Sequence, residues 1–219
     1  MIFQRQIAYW GEEKQKKLQD MVILQAGVGG LGGFMSQILV RAGIGKLYIV
    51  DNGIVDEPDL NRQILYNQKD IGKKKVYVAS ELLSSIHSYS RIVPIDKNVD
   101  EGFELPDDVK GIVDCLDNYE SRIILDDLIK NDMFFVHIAV ERNYGHILTL
   151  VDGKSGKLSD IVGEFKKSDD ITPVSADSVG SIASIASSEV INCIIDKPGL
   201  LNTVLYIDLS DFSFRKIEL

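Results

Sequence analysis

A glycine-rich turn between a short apolar run and a helical pattern constrains the fold of this chain more than any other feature. The apolar run covers residues 21–26, and the helical pattern covers 31–41. The turn between them is marked by four glycines, Gly27, Gly29, Gly30 and Gly32. Glycines allow a tight turn and a close approach to a phosphate, because no Cβ atom is in the way. Simple packing of a strand against a helix is the alternative interpretation of this turn.

An acidic residue follows the next apolar run. Residues 46–50 predict a second strand, and Asp51 comes directly after it. The offset from the glycines is about 20 residues, at which a carboxylate meets a ribose hydroxyl in dinucleotide-binding folds. The helix after the glycines would point its N–H groups at a phosphate. The sequence therefore predicts a bound nucleotide, and the glycine pattern alone leaves NAD, FAD and ATP open.

Strands and helices alternate as far as residue 139, after which the pattern changes. Further strands are predicted at 91–95, 111–114 and 133–139, and helices at 12–20, 73–87 and 119–130. This order is typical of an α/β fold with a Rossmann-like, mostly parallel sheet and helices on both faces. The C-terminal third predicts antiparallel strands at 144–152, 203–208 and 212–218, a loop or lid at 153–175, and a helix at 179–195. A single domain over 1–219 is the simplest interpretation.

Charge and cysteine content exclude several function classes. The net charge of −9 and the lack of a basic cluster argue against nucleic acid or an anionic membrane as partner. The first ten residues do not resemble a signal peptide, which leads us to expect a cytoplasmic protein. Cys115 and Cys193 lie in apolar surroundings, and there is no Cys-x-x-Cys pair for a thiolate zinc site.

Cations and a second carboxylate follow the predicted strands. Arg62 and Lys75 supply positive charge suited to phosphate oxygens. Asp117 follows the strand at 111–114 and should stand at the carboxyl edge of the sheet, where open α/β folds bind ligands. Next to a triphosphate, such a carboxylate suits Mg²⁺. This combination favours an enzyme that breaks the α–β bond of ATP over an NAD-dependent dehydrogenase.

Taken in this order, the motifs resemble those of the E1-like activating family: the ThiF, MoeB and HesA proteins and the adenylation domains of ubiquitin-activating enzymes. The resemblance rests on the glycine turn, Asp51, the Leu-x-Arg-Gln run at 60–63, Gly-x-x-Lys at 72–75 and Asp-Cys-x-Asp-Asn at 114–118. It covers nearly the whole chain. The reaction it implies is attack of a substrate carboxylate on the α-phosphate of ATP, which gives an acyl-adenylate and pyrophosphate.

The resemblance also implies roles for individual residues. Arg62 and Lys75 would grip the phosphates, and Asp117 would bind Mg²⁺. Arg5 would reach the ATP of a neighbouring subunit, so that a homodimer completes the site. The residues implied to bind ATP are the four glycines, Asp51, Asp59, Gln63 and Asn118.

The chain departs from the family pattern in ways that bear on the reaction. Pro58 and Asp59 stand where the family typically has Ser-Asn. An aspartate only accepts hydrogen bonds at neutral pH, so Asp59 either helps bind metal or belongs to an altered pocket. The segment 153–175 contains no cysteine, which predicts a member that stops at the adenylate and forms no thioester.

These departures favour a small-molecule acid in cofactor biosynthesis as the substrate. The HcgE branch, which acts on a pyridinol carboxylate in iron-guanylylpyridinol cofactor synthesis, resembles this profile. An alternative is the C-terminal glycine of a ubiquitin-like sulfur carrier in thiamine or molybdopterin synthesis. An NAD/FAD oxidoreductase and a non-catalytic E1-like subunit are further alternatives. Arg142 and His146 are the candidate acceptor-binding residues, whereas His137 is interpreted as a hydrogen-bonded core residue.

Overall fold

A single eight-stranded sheet forms the centre of the protein, and the computed structural model describes residues 2–162 and 172–219. In chain order the strands are β1 (Val22–Ala26), β2 (Lys46–Val50), β3 (Arg91–Ile95), β4 (Gly111–Asp114), β5 (Phe134–Glu141), β6 (Tyr144–Val151), β7 (Thr203–Asp208) and β8 (Ser213–Glu218). Their spatial order is β3-β2-β1-β4-β5-β6-β7-β8. The first five strands pair in parallel and the last three pair antiparallel. This confirms the predicted Rossmann-like sheet with antiparallel strands in the C-terminal third.

The helices cover both faces of this sheet. In chain order they are α1 (Gln4–Gln19), α2 (Gly30–Ala42), α3 (Lys75–Ser84), α4 (Tyr119–Asp127), α5 (Leu158–Val162) and α6 (Ala176–Ile195). Apolar side chains of α1, α2, α3 and α6 share one hydrophobic core with one sheet face. Those of α4 and α5 pack with the loop around Phe103 on the other face. The two faces of the sheet therefore carry two separate hydrophobic cores.

Several element bounds differ from the sequence-based expectation, three of them in ways that matter for the site or its surroundings. The first helix begins at Gln4 rather than at 12, with an interruption at Gly11, where φ is 86°. The third helix starts at Lys75 because Lys74 pairs with Ile54 in an isolated β-bridge. Helix α5 lies inside the segment predicted as a loop or lid, and the rest of that segment at 163–171 lies outside the described residues.

Helix α6 is long and apolar enough, by length and composition alone, to span a membrane. It packs against α2 and β5, and 56% of the apolar window is buried within the protein. Core helices of globular proteins show the same composition. Its small residues allow the close approach to α2, as at Gly180, which lies against the Phe34 ring.

Candidate active site

The glycine turn joins β1 to α2 through two positions that exclude any side chain. Gly27 has φ of +89°, and a Cβ atom there would lie 2.6 Å from the carbonyl oxygen of Cys115. A Cβ atom on Gly32 would lie 2.0 Å from the carbonyl oxygen of Gly27. Packing therefore accounts for these two glycines. Gly29 and Gly30 are different, because they cap and begin α2, whose N-terminal N–H groups carry positive charge.

Asp51 braces this turn. Its Oδ2 accepts from the Val28 N–H at 3.0 Å, and its Oδ1 accepts from the Gly53 N–H at 2.7 Å. The Tyr66 hydroxyl donates to the Val28 carbonyl at 2.8 Å, and burial raises the pKa of that phenol, so it remains a donor. A carboxylate has about four lone-pair positions, which leaves acceptor capacity on Asp51 for a ribose hydroxyl.

Four of the predicted site residues meet beside the turn. Lys75 Nζ lies 3.0 Å from Asp59 Oδ2, and Arg62 Nη2 lies 3.9 Å from Asp59 Oδ1. Gln63 Nε2 donates to the same Oδ1 at 2.6 Å. The Gln63 Oε1 atom is buried and has no hydrogen-bond partner among the residues that the structure describes. The two cations next to Gly29 fit an anionic group, and the orphaned acceptor needs a hydrogen-bond donor such as a ligand hydroxyl.

The three consecutive lysines point to three different partners. Lys73 Nζ lies 3.0 Å from Asp70, and Lys74 Nζ lies 2.9 Å from Asp96. The Lys75 side chain alone of the three contacts Asp59, and it is 14% exposed where that of Lys73 is 55% exposed. Of the three lysines, Lys75 is therefore the one that lies in the cluster around Asp59.

Asp117 and Asn118 stand exposed between β4 and α4. Asn118 caps α4 by accepting from the Ser121 N–H at 2.9 Å, and its Nδ2 lies 3.4 Å from Asp117 Oδ1. Within the described ranges no three His, Cys, Asp or Glu side chains are arranged to hold a metal by themselves. One exposed carboxylate fits Mg²⁺ only when phosphate oxygens supply further ligands, which is its usual coordination beside a nucleotide.

A buried ion pair that sequence reasoning missed fixes the segment that carries Asp117. Asp114 Oδ1 accepts from the Leu116 N–H at 3.0 Å, while Arg122 Nη2 donates to the Leu116 carbonyl. Arg122 Nη1 lies 3.5 Å from Asp114 Oδ2. Burial alone would raise the pKa of Asp114, but Arg122 and His137 outweigh it and hold that pKa below its usual value. Asp114 stood inside a quoted motif, yet nothing local in the sequence indicated Arg122 as its partner.

The remaining predicted residues lie apart from this cluster. Arg5 is exposed on α1, and Arg142 is exposed at the β5–β6 turn, where its φ is 53°. His146 lies on β6, with its Nε2 atom 3.0 Å from His137 Nε2. His137 is 1% exposed and its Nδ1 lies 2.7 Å from Asp114, so its interpretation as a hydrogen-bonded core residue is confirmed.

Both cysteines are poorly suited to nucleophilic chemistry. Burial raises the pKa of the Cys115 thiol, and the negative charge of Asp114 raises it further. Burial likewise raises the pKa of Cys193, next to Glu189. Because the thiolate is the nucleophile, both thiols are inert at neutral pH.

A family model and several curated relatives match this chain. The model of the ThiF family matches residues 3–219. The sulfur carrier protein ThiS adenylyltransferase of Bacillus subtilis is 35% identical over 150 residues, which cover 66% of this chain and 45% of that protein. The heterocyst HesA protein of Trichormus variabilis is 31% identical over 223 residues, covering 99% of this chain and 83% of its own length. The chain thus spans less than half of the first relative and most of the second.

Solved structures share the fold at lower sequence identity. PaaA superposes with a TM-score of 0.82 at 23% identity, covering 99% of this chain and 72% of that one. MccB of E. coli, solved with ATP, superposes with a TM-score of 0.85 at 20% identity, covering 100% and 70%. These likenesses establish that the whole sheet and its helices follow a known fold.

Proposed function

The chain belongs to the ThiF family, and we propose that residues 1–219 form one adenylation domain that activates a substrate carboxylate with ATP. The observation that carries this proposal is the charged cluster beside the glycine turn. Lys75 and Arg62 converge there on one carboxylate, Asp59, at 3.0 and 3.9 Å. Relatives named adenylyltransferases support the same activity.

The proposed reaction needs positioning and charge neutralisation more than covalent help from the protein. An oxygen of the substrate carboxylate attacks the α-phosphorus, a P–O bond forms, and the bond to the pyrophosphate oxygen breaks with its electron pair. Lys75 and Arg62 neutralise the charge that grows on the leaving pyrophosphate. The glycine turn and α2 N-terminus hold the phosphates, and well-oriented reactants can contribute about 7–11 kcal/mol to such a reaction.

We assign Asp117 to Mg²⁺ and Asp51 to the ribose. When bound, Mg²⁺ supplies charge neutralisation between phosphate oxygens. Asp114 and Arg122 act as positioning residues, because both bond the backbone of Leu116 next to Asp117. Gln63, Asn118 and Asp59 complete the proposed nucleotide site.

The assembly that we propose is a homodimer in which Arg5 reaches the phosphates of the neighbouring subunit's ATP. Its exposed position on α1 leaves the side chain accessible for such a contact. We further propose that the protein acts in the cytoplasm, with no nucleic acid or membrane partner, which agrees with its net charge of −9.

The proposed acceptor is a small carboxylic acid of cofactor biosynthesis, such as a pyridinol carboxylate, with no thioester step. The raised pKa values of Cys115 and Cys193 support the absence of a thioester. The second candidate acceptor is the C-terminal glycine of a sulfur carrier protein. It is favoured by the relatives from Bacillus subtilis and Thermus thermophilus, whose names specify sulfur carriers.

Pyrophosphate release tests the proposed function. Purified protein with ATP, Mg²⁺ and a panel of small acids and carrier tails should release pyrophosphate only when an accepted acid is present. Lys75→Ala and Asp117→Ala should each lower this rate at least about 100-fold, the range seen when one charge-stabilising donor is lost. Lys73→Ala is the matched control, because its partner is Asp70 and its side chain lies apart from the cluster.

Three results would overturn the assignment. Unchanged pyrophosphate release in both site variants would exclude the proposed roles of Lys75 and Asp117. Tight binding of NAD(H) with no binding of ATP, measured by calorimetry, would instead make the protein a nicotinamide-dependent enzyme. ATP binding without turnover of any acid or carrier tail would favour a non-catalytic E1-like subunit.

A further inference from the structure

A small cavity lies on the α4 and α5 face of the sheet, beyond the proposed nucleotide site. Its volume is about 210 Å³, and its polar and aromatic walls are Tyr119, His137, His146 and Tyr206. Aliphatic side chains of β6, α5 and β7 form the rest of its lining. Pockets for drug-sized ligands usually measure about 300–1,000 Å³, so this cavity suits a single ring with its substituents.

Hydrogen bonds indicate which ring nitrogens of His137 and His146 carry protons; we call these two histidines the relay. Asp114 Oδ2 lies 2.7 Å from His137 Nδ1, and we assign the proton to this nitrogen because a carboxylate can only accept. Arg122 Nη1, which can only donate, lies 2.9 Å from His137 Nδ1 and 3.2 Å from its Nε2. His137 Nε2 is then an acceptor, and His146 Nε2 donates to it across 3.0 Å. A neutral His146 therefore has an unprotonated Nδ1. Burial lowers the pKa of both histidines, that of His146 to about 3, so the relay is neutral at physiological pH.

The strand register places these two histidines within three strand spacings of the proposed nucleotide site. Ala26 pairs with Asp114, Asp114 pairs with His137, and Ala139 pairs with His146. Adjacent strands lie about 4.8 Å apart and Ala139 is two residues beyond His137, so His146 is roughly 16 Å from the end of β1. Tyr119 lines the cavity and begins α4 two residues after Asp117. A ring held here would lie beside the segment that carries Asp117.

We propose that this cavity binds the ring of a small aromatic carboxylic acid that carries a hydroxyl or N–H donor, and that His146 Nδ1 accepts from that donor. The inference rests on the proposed function and names the class of its acceptor. Aromatic walls favour a planar ring through stacking and edge contacts. The hydroxyl or N–H donor of the acid pairs with His146 Nδ1, which is oriented by the hydrogen bonds from Asp114 through His137.

Imidazole NMR signals provide a direct test, since the chain has three histidines. His87 packs beside Phe3 and bonds the Val40 carbonyl on the α2 and α3 side of the sheet, so it serves as an internal control. We expect 4-hydroxybenzoate to shift the His137 and His146 ring signals saturably and to leave the His87 signal in place. The methoxy analogue, which lacks the donor, should bind about tenfold more weakly.

Variants separate recognition by His146 from simple filling of space. His146→Phe should abolish the preference for the hydroxyl over the methoxy compound, and His146→Gln, which retains an acceptor, should restore most of it. Val204→Trp fills the cavity and should prevent binding of both acids. ATP binding should stay within twofold of wild type in all three variants, because the cavity is separate from the charged cluster.

Several outcomes would overturn the inference. One is that no acid in a panel of aromatic acids shifts the His146 signal. Another is that the acids shift the His87 signal as much as that of His146. The third is that a peptide ending in Gly-Gly shifts the His146 signal and the aromatic acids do not. Loss of the proposed function has a different signature. In that case the aromatic acid still shifts His146, but ATP binding or pyrophosphate release fails to respond to Lys75→Ala.

Discussion

Compared with the region at β5, β6 and β7, where the buried His137 meets the partly buried His146, the region at the ends of β1 and β2 is built from backbone turns and a mostly buried cluster of charged side chains. On the nucleotide side the decisive features are Gly27 and Gly32, which admit no Cβ atom, and the Lys75–Asp59 pair. On the side that we propose for the acceptor they are neutral His137 and His146 in a small cavity. The nucleotide side depends on residue types at fixed spacing along the chain, whereas the histidine cavity depends on the register between strands that are distant in sequence.

We expect the largest effect from replacing Gly32 with alanine, which would disrupt the glycine turn on the nucleotide side. The new Cβ atom would meet the Gly27 carbonyl oxygen at 2.0 Å and Gln25 Nε2 at 2.9 Å. Because the first contact is backbone and cannot rotate away, we expect Gly32→Ala to lower the free energy of unfolding by about 3 kcal/mol or more. Urea unfolding followed by circular dichroism measures this loss.

The adjacent glycine is the control for that substitution. A Cβ atom on Gly33 would meet Leu65 Cγ at 3.4 Å, at the edge of ordinary van der Waals contact. Alanine also favours a helix interior over glycine by about 1 kcal/mol, so Gly33→Ala should leave stability within about 1 kcal/mol of wild type. Equal losses at the two positions would show that the turn is not set by the Gly27–Gly32 contact.

Sequence reasoning went furthest where the backbone itself imposes the residue type. The glycine turn and the parallel pairing of the first five strands followed from spacing within βαβ units, whereas the grouping of Arg62, Gln63 and Lys75 was implied by the family resemblance. Each depends on short stretches in which a strand end, a turn and a helix start are contiguous. The structure added what spacing cannot show, namely that Asp59 joins Lys75 to Arg62.

The sequence indicated His146 as a candidate residue, but its contacts and those of His137 could not be predicted, for a physical reason. Asp114, Arg122, His137 and His146 come from three strands and a helix, and their contacts depend on register across the sheet. A one-residue shift of one strand would turn its side chain to the other face. Arg122 has no local motif, and the α1 start at Gln4 was missed because tertiary packing against α6 supports it.

Acid should destabilise the protein through the acceptor side, which gives the second largest effect. The folded-state pKa of His146 is lowered from 6.5 to about 3 by burial, then by His137 and Arg122. Below pH 6.5 the unfolded chain binds a proton that the folded chain does not, so stability falls as pH falls. The slope should approach about 1.4 kcal/mol per pH unit for His146, and His137 changes it in the same direction.

Urea unfolding between pH 7.5 and 5 measures this slope, and variants on the two sides show which side it comes from. Asp114 titrates below this range, because Arg122 and His137 outweigh its burial and lower its pKa from 3.8. His146→Phe should flatten the dependence, whereas Lys75→Met on the nucleotide side should leave the slope as it is. A slope that is unaltered in His146→Phe would contradict the neutral relay.

Asp59→Asn should produce an intermediate effect and decides between the two interpretations of that residue. If Asp59 only competes with phosphate for Lys75 and Arg62, removing its charge should tighten ATP binding about tenfold, which is 1.4 kcal/mol. Calorimetry with and without Mg²⁺ measures it. Asp56→Asn is the matched control, because it makes the same charge change at the cap of the same short turn. Weaker binding that appears only with Mg²⁺ would instead make Asp59 a metal ligand.

We expect the smallest effect on stability from substitutions of Arg142, and two variants separate the contribution of backbone strain from that of acid binding. The residue has φ of 53° at the β5–β6 turn, a conformation that asparagine adopts more readily than arginine or alanine. We expect Arg142→Asn to raise the free energy of unfolding by about 0.5 kcal/mol, and Arg142→Ala to leave it nearly unchanged. If the guanidinium grips the acceptor carboxylate, both variants raise the KM for the acid equally despite their different stabilities. A KM that is unaltered in both would remove Arg142 from the acceptor site and leave the histidine cavity as its recognition element.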